Sequence, residues 1–217
     1  MKKSGFTLAE VLITLGIVGV VSALVLPTFT TKMQTAKVGP RLAKAVAGFE
    51  QANIAILDDA QADALTGTTL LNSVDTYFGA NGLQTHMKGS YRAPRFYSAD
   101  GVSYCLSSLA RTATGNGNCS GGFDTNGNNI RPHLNPVTMN TNGVLIDIDG
   151  DNGPNTLARD QFVFQMMDDG SLRPWGGSWE TNNDNRWTTN CRENTTVVRP
   201  AICAGHVMEN GLKVEYK

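Results

Sequence analysis

From Phe6 to Leu26 the chain runs for 21 residues with a single ionisable side chain, Glu10. As an α-helix rising about 1.5 Å per residue, that stretch covers roughly 31 Å. The figure matches a bilayer hydrocarbon core of about 30 Å. Few environments suit such a segment: lipid, a cleaved secretory leader, or the interior of a helical assembly. Lys2 and Lys3 stand before it. Positive charge ahead of a span keeps that end cytoplasmic, so the C-terminal part is expected across the membrane.

Glu10 separates the readings of this segment. Val21-Ser22-Ala23 has the small-residue pattern of a secretory cleavage site. Against a secretory leader, Glu10 falls inside the apolar core and the run continues past that site. A plain single-pass anchor fits the length but leaves Glu10 without a role. A charged side chain at mid-span costs about 2.5–3.5 kcal/mol on insertion scales, and less near the interface. A third reading gives Glu10 a use in an assembly.

The residues Lys2-Lys3-Ser4-Gly5-Phe6-Thr7-Leu8-Ala9-Glu10-Val11-Leu12-Ile13 resemble the class III signal of type IV prepilins and type II secretion pseudopilins. That signal is a short basic leader ending in Gly, then Phe, Thr, Leu and, at the fifth mature position, Glu. The likeness continues through Ile17-Val18-Gly19-Val20-Val21-Ser22-Ala23 to Pro27, covers residues 1–58 well, and holds for the rest only in outline. The resemblance implies cleavage between Gly5 and Phe6 by a prepilin peptidase and methylation of the new Phe6 amine. It also implies pairing of Glu10 in one subunit with the Phe6 amine of its neighbour. A side chain-free Gly5 lies flat in a protease cleft. A charge pair taken out of water is costly, but a lone charge there costs more, so Glu10 sets register and recruitment.

The organisation expected is a leader over 1–5, a transmembrane and assembly helix over 6–28, an amphipathic continuation over 29–60, and a periplasmic β-rich domain over 61–217. In the continuation, Leu42, Val46, Phe49, Asn53 and Ile56 recur at spacings of four and three, one helix face with a single polar member. Pro27 and Pro40 are expected to bend or loosen the helix, since proline lacks an N–H and crowds the preceding turn. Beyond residue 58 the chain turns rich in Gly, Asn, Thr and Asp, which favour turns. Strands are predicted over 101–106, 143–148 and 161–166, with Asp168-Asp169-Gly170 turning into Ser171-Leu172-Arg173. A short helix is predicted over 201–209 and a last strand over 212–216. The fold class is α+β: a long N-terminal helix packed on a small antiparallel sheet, as in pilin-like folds.

A net charge of −1 gives no broad pull toward nucleic acid or anionic lipid. The four cysteines form two local pairs, Cys105 with Cys119 and Cys191 with Cys203, separated by 13 and 11 residues. In an exported domain two disulfides are the natural reading. Short loops favour the local pairing, although four cysteines allow three connectivities.

Two loops carry oxygen side chains at metal-like spacing. Asp147-Ile148-Asp149-Gly150-Asp151-Asn152 leads to Asn155 and Asp160, and Asp124, Asn126, Asn128 and Asn129 form a second, weaker set. Alternating oxygens on a tight turn converge on a hard cation such as Ca²⁺. The first loop resembles dockerin and EF-hand type loops, but its twelfth position is Ala158, not an acid, so Asp160 would have to replace the bidentate ligand. The competing reading is an Asx-rich turn between strands. Trp175, Trp179 and Trp187 lie in a Gly/Asn-rich stretch and suit either sheet capping or contact with a sugar or partner. No Gly-x-Ser-x-Gly, P-loop or Gly-x-Gly-x-x-Gly occurs, and His86, His133 and His206 read as ordinary histidines, so no enzyme is expected.

The function expected from the resemblance is a structural subunit, pseudopilin or minor pilin, of a type II secretion or type IV pilus filament. Its partners would be like subunits, the prepilin peptidase, a membrane platform protein and an assembly ATPase. It would sit in a bacterial inner membrane and then in a filament. The rival is a membrane-tethered periplasmic binding module that never polymerises and binds calcium, sugar or protein. A third class, an exported hydrolase, requires carboxylates clustered in a cleft.

Overall fold

The computed structural model describes residues 7–108, 142–150, 152, 160–174, 203–209 and 211, with the main chain alone at 26–35, 107–108 and 142. It divides into two units, Met1–Lys37 and Val38–Lys217. Helix α1, Leu8–Ala60, contributes to both. In the first unit every side chain from Leu8 to Val25 except Ser22 is exposed. This window is long and apolar enough to cross a membrane by length and composition. The expected loosening at the prolines does not interrupt the helix, which continues through Pro27 and Pro40 although each lacks a main-chain donor.

In the second unit α1 becomes one-sided. Leu42, Val46, Phe49, Asn53 and Ile56 are at most 6% exposed, joined by Ala45 and Ala52, while Arg41, Lys44, Gln51 and Asp58 face solvent. The helix ends in a Schellman motif. Gln61 takes φ 49°, the Ala62 N–H reaches the Leu57 carbonyl (3.0 Å), and the Gln61 N–H reaches that of Asp58 (3.0 Å).

Two 3₁₀ turns, Leu65–Gly67 and Thr69–Asn72, then helices α2, Val74–Phe78, and α3, Leu83–His86, fold over one part of the core. The Ser73 hydroxyl caps α2 by accepting the Thr76 N–H at 3.0 Å. Leu65, Leu71, Tyr77, Phe78 and Leu83 are fully buried.

Among the described residues six strands follow as an antiparallel meander in chain order: β1 Gly89–Arg92, β2 Arg95–Ser98, β3 Ser103–Ser108, β4 Asn142–Asp147, β5 Gln161–Met166 and β6 Leu172–Pro174. The α+β class and the meander are those expected. The β1–β2 hairpin was not foreseen. Helix α4, Cys203–Glu209, buries Ala204 and Val207 in the same core. Residues 109–141 and 212–217 lie outside the described set, so the last predicted strand has no structural counterpart here.

Register explains the two faces of the sheet. Phe96, Tyr104, Ile146 and Phe162 form one cross-strand row, and Leu106, Val144, Phe164 and Pro174 the next. All but Pro174 belong to the core that includes α1. Phe49 stacks on Tyr104 with centroids 5.2 Å apart. Alternate residues point the other way. There Arg95, Cys105, Leu145 and Val163 share a row, and Tyr97, Ser103, Asp147 and Gln161 share another. β5 is buried at all six positions, so both of its faces are covered.

Polar contacts tie α1 to the sheet. Asn53 donates to the Gly170 carbonyl at 2.7 Å and accepts the Tyr77 hydroxyl. Glu50 accepts the Leu172 N–H at 2.8 Å. The Asp168 carboxylate accepts both the N–H and the hydroxyl of Thr66, each at 2.8 Å.

Candidate functional site

The start of α1 is the first candidate. Thr7 precedes the first helical residue and Glu10 is third inside. The Glu10 N–H donates to the Thr7 hydroxyl oxygen at 3.3 Å. In return the Glu10 carboxylate accepts the Thr7 N–H and the Thr7 hydroxyl, both at 2.8 Å. This Thr-x-x-Glu arrangement is a capping box, which satisfies main-chain donors that no turn of the helix can reach. An acid in the first turn also meets the positive end of the helix dipole. The pattern explains locally why the helix begins where it does. Gly5 and Phe6, the processing residues expected from the sequence, lie outside the described residues.

The second candidate is the turn after β4. Asp147 is 1% exposed, and its cross-strand neighbour Gln161 donates Nε2–H to Asp147 Oδ2 at 2.8 Å. Arg95 Nη1 stands 3.4 Å from the same oxygen and donates to the Ser103 hydroxyl at 3.1 Å. The Gly150 N–H donates to Asp147 Oδ1 at 3.0 Å, closing the turn. Gly150 has φ +68°, and a Cβ there would come within 2.7 Å of the Gly101 carbonyl, so only glycine fits. Burial pushes the Asp147 carboxyl up to about 7, with Asp149 adding to the effect and Gln161 and Arg95 opposing it.

The sequence nominated Asp147, Asp149, Asp151, Asn155 and Asp160 for this site. The structure brings Asp147 and Asp149 together. Asp160 is buried, and its carbonyl accepts the Ile148 N–H at 2.9 Å. Asp151 and Asn155, like Asp124 to Asn129 and the three tryptophans, lie outside the described residues. Gln161, Arg95 and Ser103 were missed. Only strand register places them beside Asp147, and register is not written in any one segment. Among the described residues no three His, Cys, Asp or Glu side chains cluster as a metal site.

Cys105 and Cys203 are each disulfide-bonded. The expected pairing rests on Cys119 and Cys191, which lie outside the described residues.

Comparison with known families gives one match: residues 1–26 fit the prokaryotic N-terminal methylation motif. This is the signal of type IV pilins and pseudopilins. No curated protein matches the chain, and neither does any solved structure.

Proposed function

We propose that this protein, bearing a prepilin-type methylation signal, is a structural subunit, a pseudopilin or minor pilin, of a type II secretion or type IV pilus filament. The observation that carries the reading is the motif over residues 1–26. An exposed apolar helix from Leu8 to Val25 supports it, because such a surface requires lipid or neighbouring helices. The peptidase cuts between Gly5 and Phe6 on the cytoplasmic side and methylates the Phe6 amine. Helices of adjacent subunits then pack side by side, and Glu10 of one meets the Phe6 amine of another. The work is assembly rather than turnover. The C-terminal domain lies in the periplasm and then on the filament surface, and a platform protein and an assembly ATPase drive the addition of subunits.

Intact mass and N-terminal sequencing from native membranes, beside a strain lacking the prepilin peptidase, test this directly. A mature chain beginning at methylated Phe6, absent from the deficient strain, is expected. A start at Leu24 or an uncut Met1 overturns the reading. Glu10→Val then separates an assembling subunit, which loses filament incorporation, from a tethered binding module, which does not.

A further inference from the structure

The two margins of the sheet are finished differently. At β6 the Met167 N–H bonds the Ser171 carbonyl, so by alternation Leu172 and Pro174 turn their main chain outward. The Leu172 N–H is taken by Glu50 at 2.8 Å, and Pro174 has none to offer. At β1 the Ala99 N–H bonds the Lys88 carbonyl at 2.9 Å. By the same alternation Ser90 and Arg92 face β2, whereas Gly89 and Tyr91 turn their N–H and C=O outward. No described residue bonds those four groups. Gly89 is exposed and has no side chain to screen its main chain. The side chains along this open edge are cationic. Lys88, Ser90 and Arg92 share the sheet face of Arg95 and Tyr97, turned away from α1. Lys88 and Arg92 are exposed, stand about 13 Å apart by strand rise, and make no ion pair among the described residues. The Arg92 guanidinium lies 5.5 Å from the Tyr97 ring centroid. The nearby acid Asp75 is on the other side, where it accepts the Tyr91 hydroxyl.

We propose that the open edge of β1 binds an extended acidic segment of another protein, which joins the sheet as a further strand antiparallel to β1. Main-chain bonds at Gly89 and Tyr91 hold such a strand, and side chains at alternate positions select it. Residues of the segment opposite Lys88 and Arg92 point to the cationic face, so acids belong there, four positions apart. Residues opposite Gly89 and Tyr91 exchange the main-chain bonds and lay their side chains beside Tyr91 and Phe78, whose ring centroids are 5.6 Å apart. The recognition pattern is therefore acid-x-x-x-acid in a strand with apolar residues next to the acids on the inner side. The same features disfavour a second copy of this chain. Two β1 strands paired through both open positions would set Lys88 opposite Arg92, cation against cation. A second copy's β6 brings no outward N–H to the edge.

Fluorescence polarisation of a labelled peptide, acetyl-Val-Glu-Val-Thr-Val-Glu-Val-amide, with the full chain in non-ionic detergent tests the edge. Saturable binding to one site is expected, at least tenfold tighter than for the peptide with lysine at both glutamate positions. N-methylation of the two valines beside the threonine should weaken binding at least tenfold, because their N–H groups face β1, whereas N-methylation of the threonine should not. Arg92→Glu, at an exposed position, should weaken the glutamate peptide at least tenfold with an unchanged melting temperature. Lys88→Glu combined with Arg92→Glu should reverse the preference toward the lysine peptide. Cations that only guard the edge against pairing would leave both peptides unbound, which overturns the proposal. Equal binding of the two peptides overturns it as well. So does a chain dimer in sedimentation velocity that the glutamate peptide dissociates, since the occupant would then be a second copy.

Discussion

One helix carries two different kinds of apolar surface. Between Leu8 and Val25 the large aliphatic side chains are spread around the circumference and exposed, Leu8 by 81% and Leu24 by 71%. Between Leu42 and Ile56 they fall on one stripe, and Leu42 and Phe49 are fully buried. The first half carries one charged side chain, Glu10, whereas the second carries Arg41, Lys44, Glu50, Asp58 and Asp59 off its buried stripe, so its apolar surface is confined to one side. An all-round apolar helix needs an apolar medium or partners on every side, while a one-sided helix finishes its burial within its own chain. The first half therefore reports on what surrounds the protein and the second on how the protein holds itself together.

The sharpest way to break that contrast is to truncate one side chain in each half. Phe49→Ala removes a ring packed on Tyr104 and Tyr77 and should lower the unfolding free energy of the C-terminal unit by about 3–5 kcal/mol. Leu15→Ala should change it by less than about 0.5 kcal/mol. Denaturant unfolding in detergent, followed by tyrosine absorbance, measures both. Equal losses would show that the two halves are not independent.

The next effect tests the single polar member of the buried stripe. Asn53→Ala leaves the Tyr77 hydroxyl and the Gly170 carbonyl without their partner and should cost about 2–4 kcal/mol. Pairing it with Tyr77→Phe should recover part of the loss, because one of the orphaned groups is then gone. Strict additivity of the two substitutions would contradict the network.

Gly170→Ala is expected to cost about 1–3 kcal/mol. Its φ is +83°, and a Cβ would stand 2.8 Å from that of Asn53. An unchanged melting temperature would mean that the turn is not pressed against α1.

The smallest effect concerns the exposed side of the same helix. Lys44 bonds Asp100 at 2.9 Å, but the two side chains are 74% and 43% exposed, so Lys44→Ala should cost at most about 1 kcal/mol after solvent screening. The Ser98 hydroxyl, and then Lys44, hold the Asp100 carboxyl below its usual range. A depressed carboxyl contributes stability above its ordinary pKa and loses it as pH falls through the folded value. The difference between native and Lys44→Ala proteins should therefore fade below about pH 4. A difference that grows in acid would reverse the sign and refute the pairing.

Much of the fold was legible because periodicity speaks locally. The spacing of Leu42, Val46, Phe49 and Ile56 gave the buried face, and the apolar runs near residues 103, 143 and 161 gave β3, β4 and β5 to within two residues. Asn53 was visible as an exception but not explicable, since its partners Tyr77 and Gly170 lie 24 and 117 residues away. The β1–β2 hairpin was hidden by its brevity. Each strand has four residues, and arginines flank the Ala93-Pro94 turn where alternation would otherwise show. The Asp147 site was half legible. Aspartates at alternate positions announce a turn rich in oxygen, whereas an amide such as Gln161 gives no signal until the register puts it opposite.

Among the described residues, the meander places each strand beside the one described before it, from β1 to β6. A ribosome releases a chain in that same order. From β2 onward, the edge that a new strand joins is already present when it is made, so the sheet grows at one margin. α1 is made before any of them, and its one-sided stripe is ready as a template when β3 arrives with Tyr104. Such an order keeps unpaired edges few and brief while the most apolar segment is still finding its surroundings.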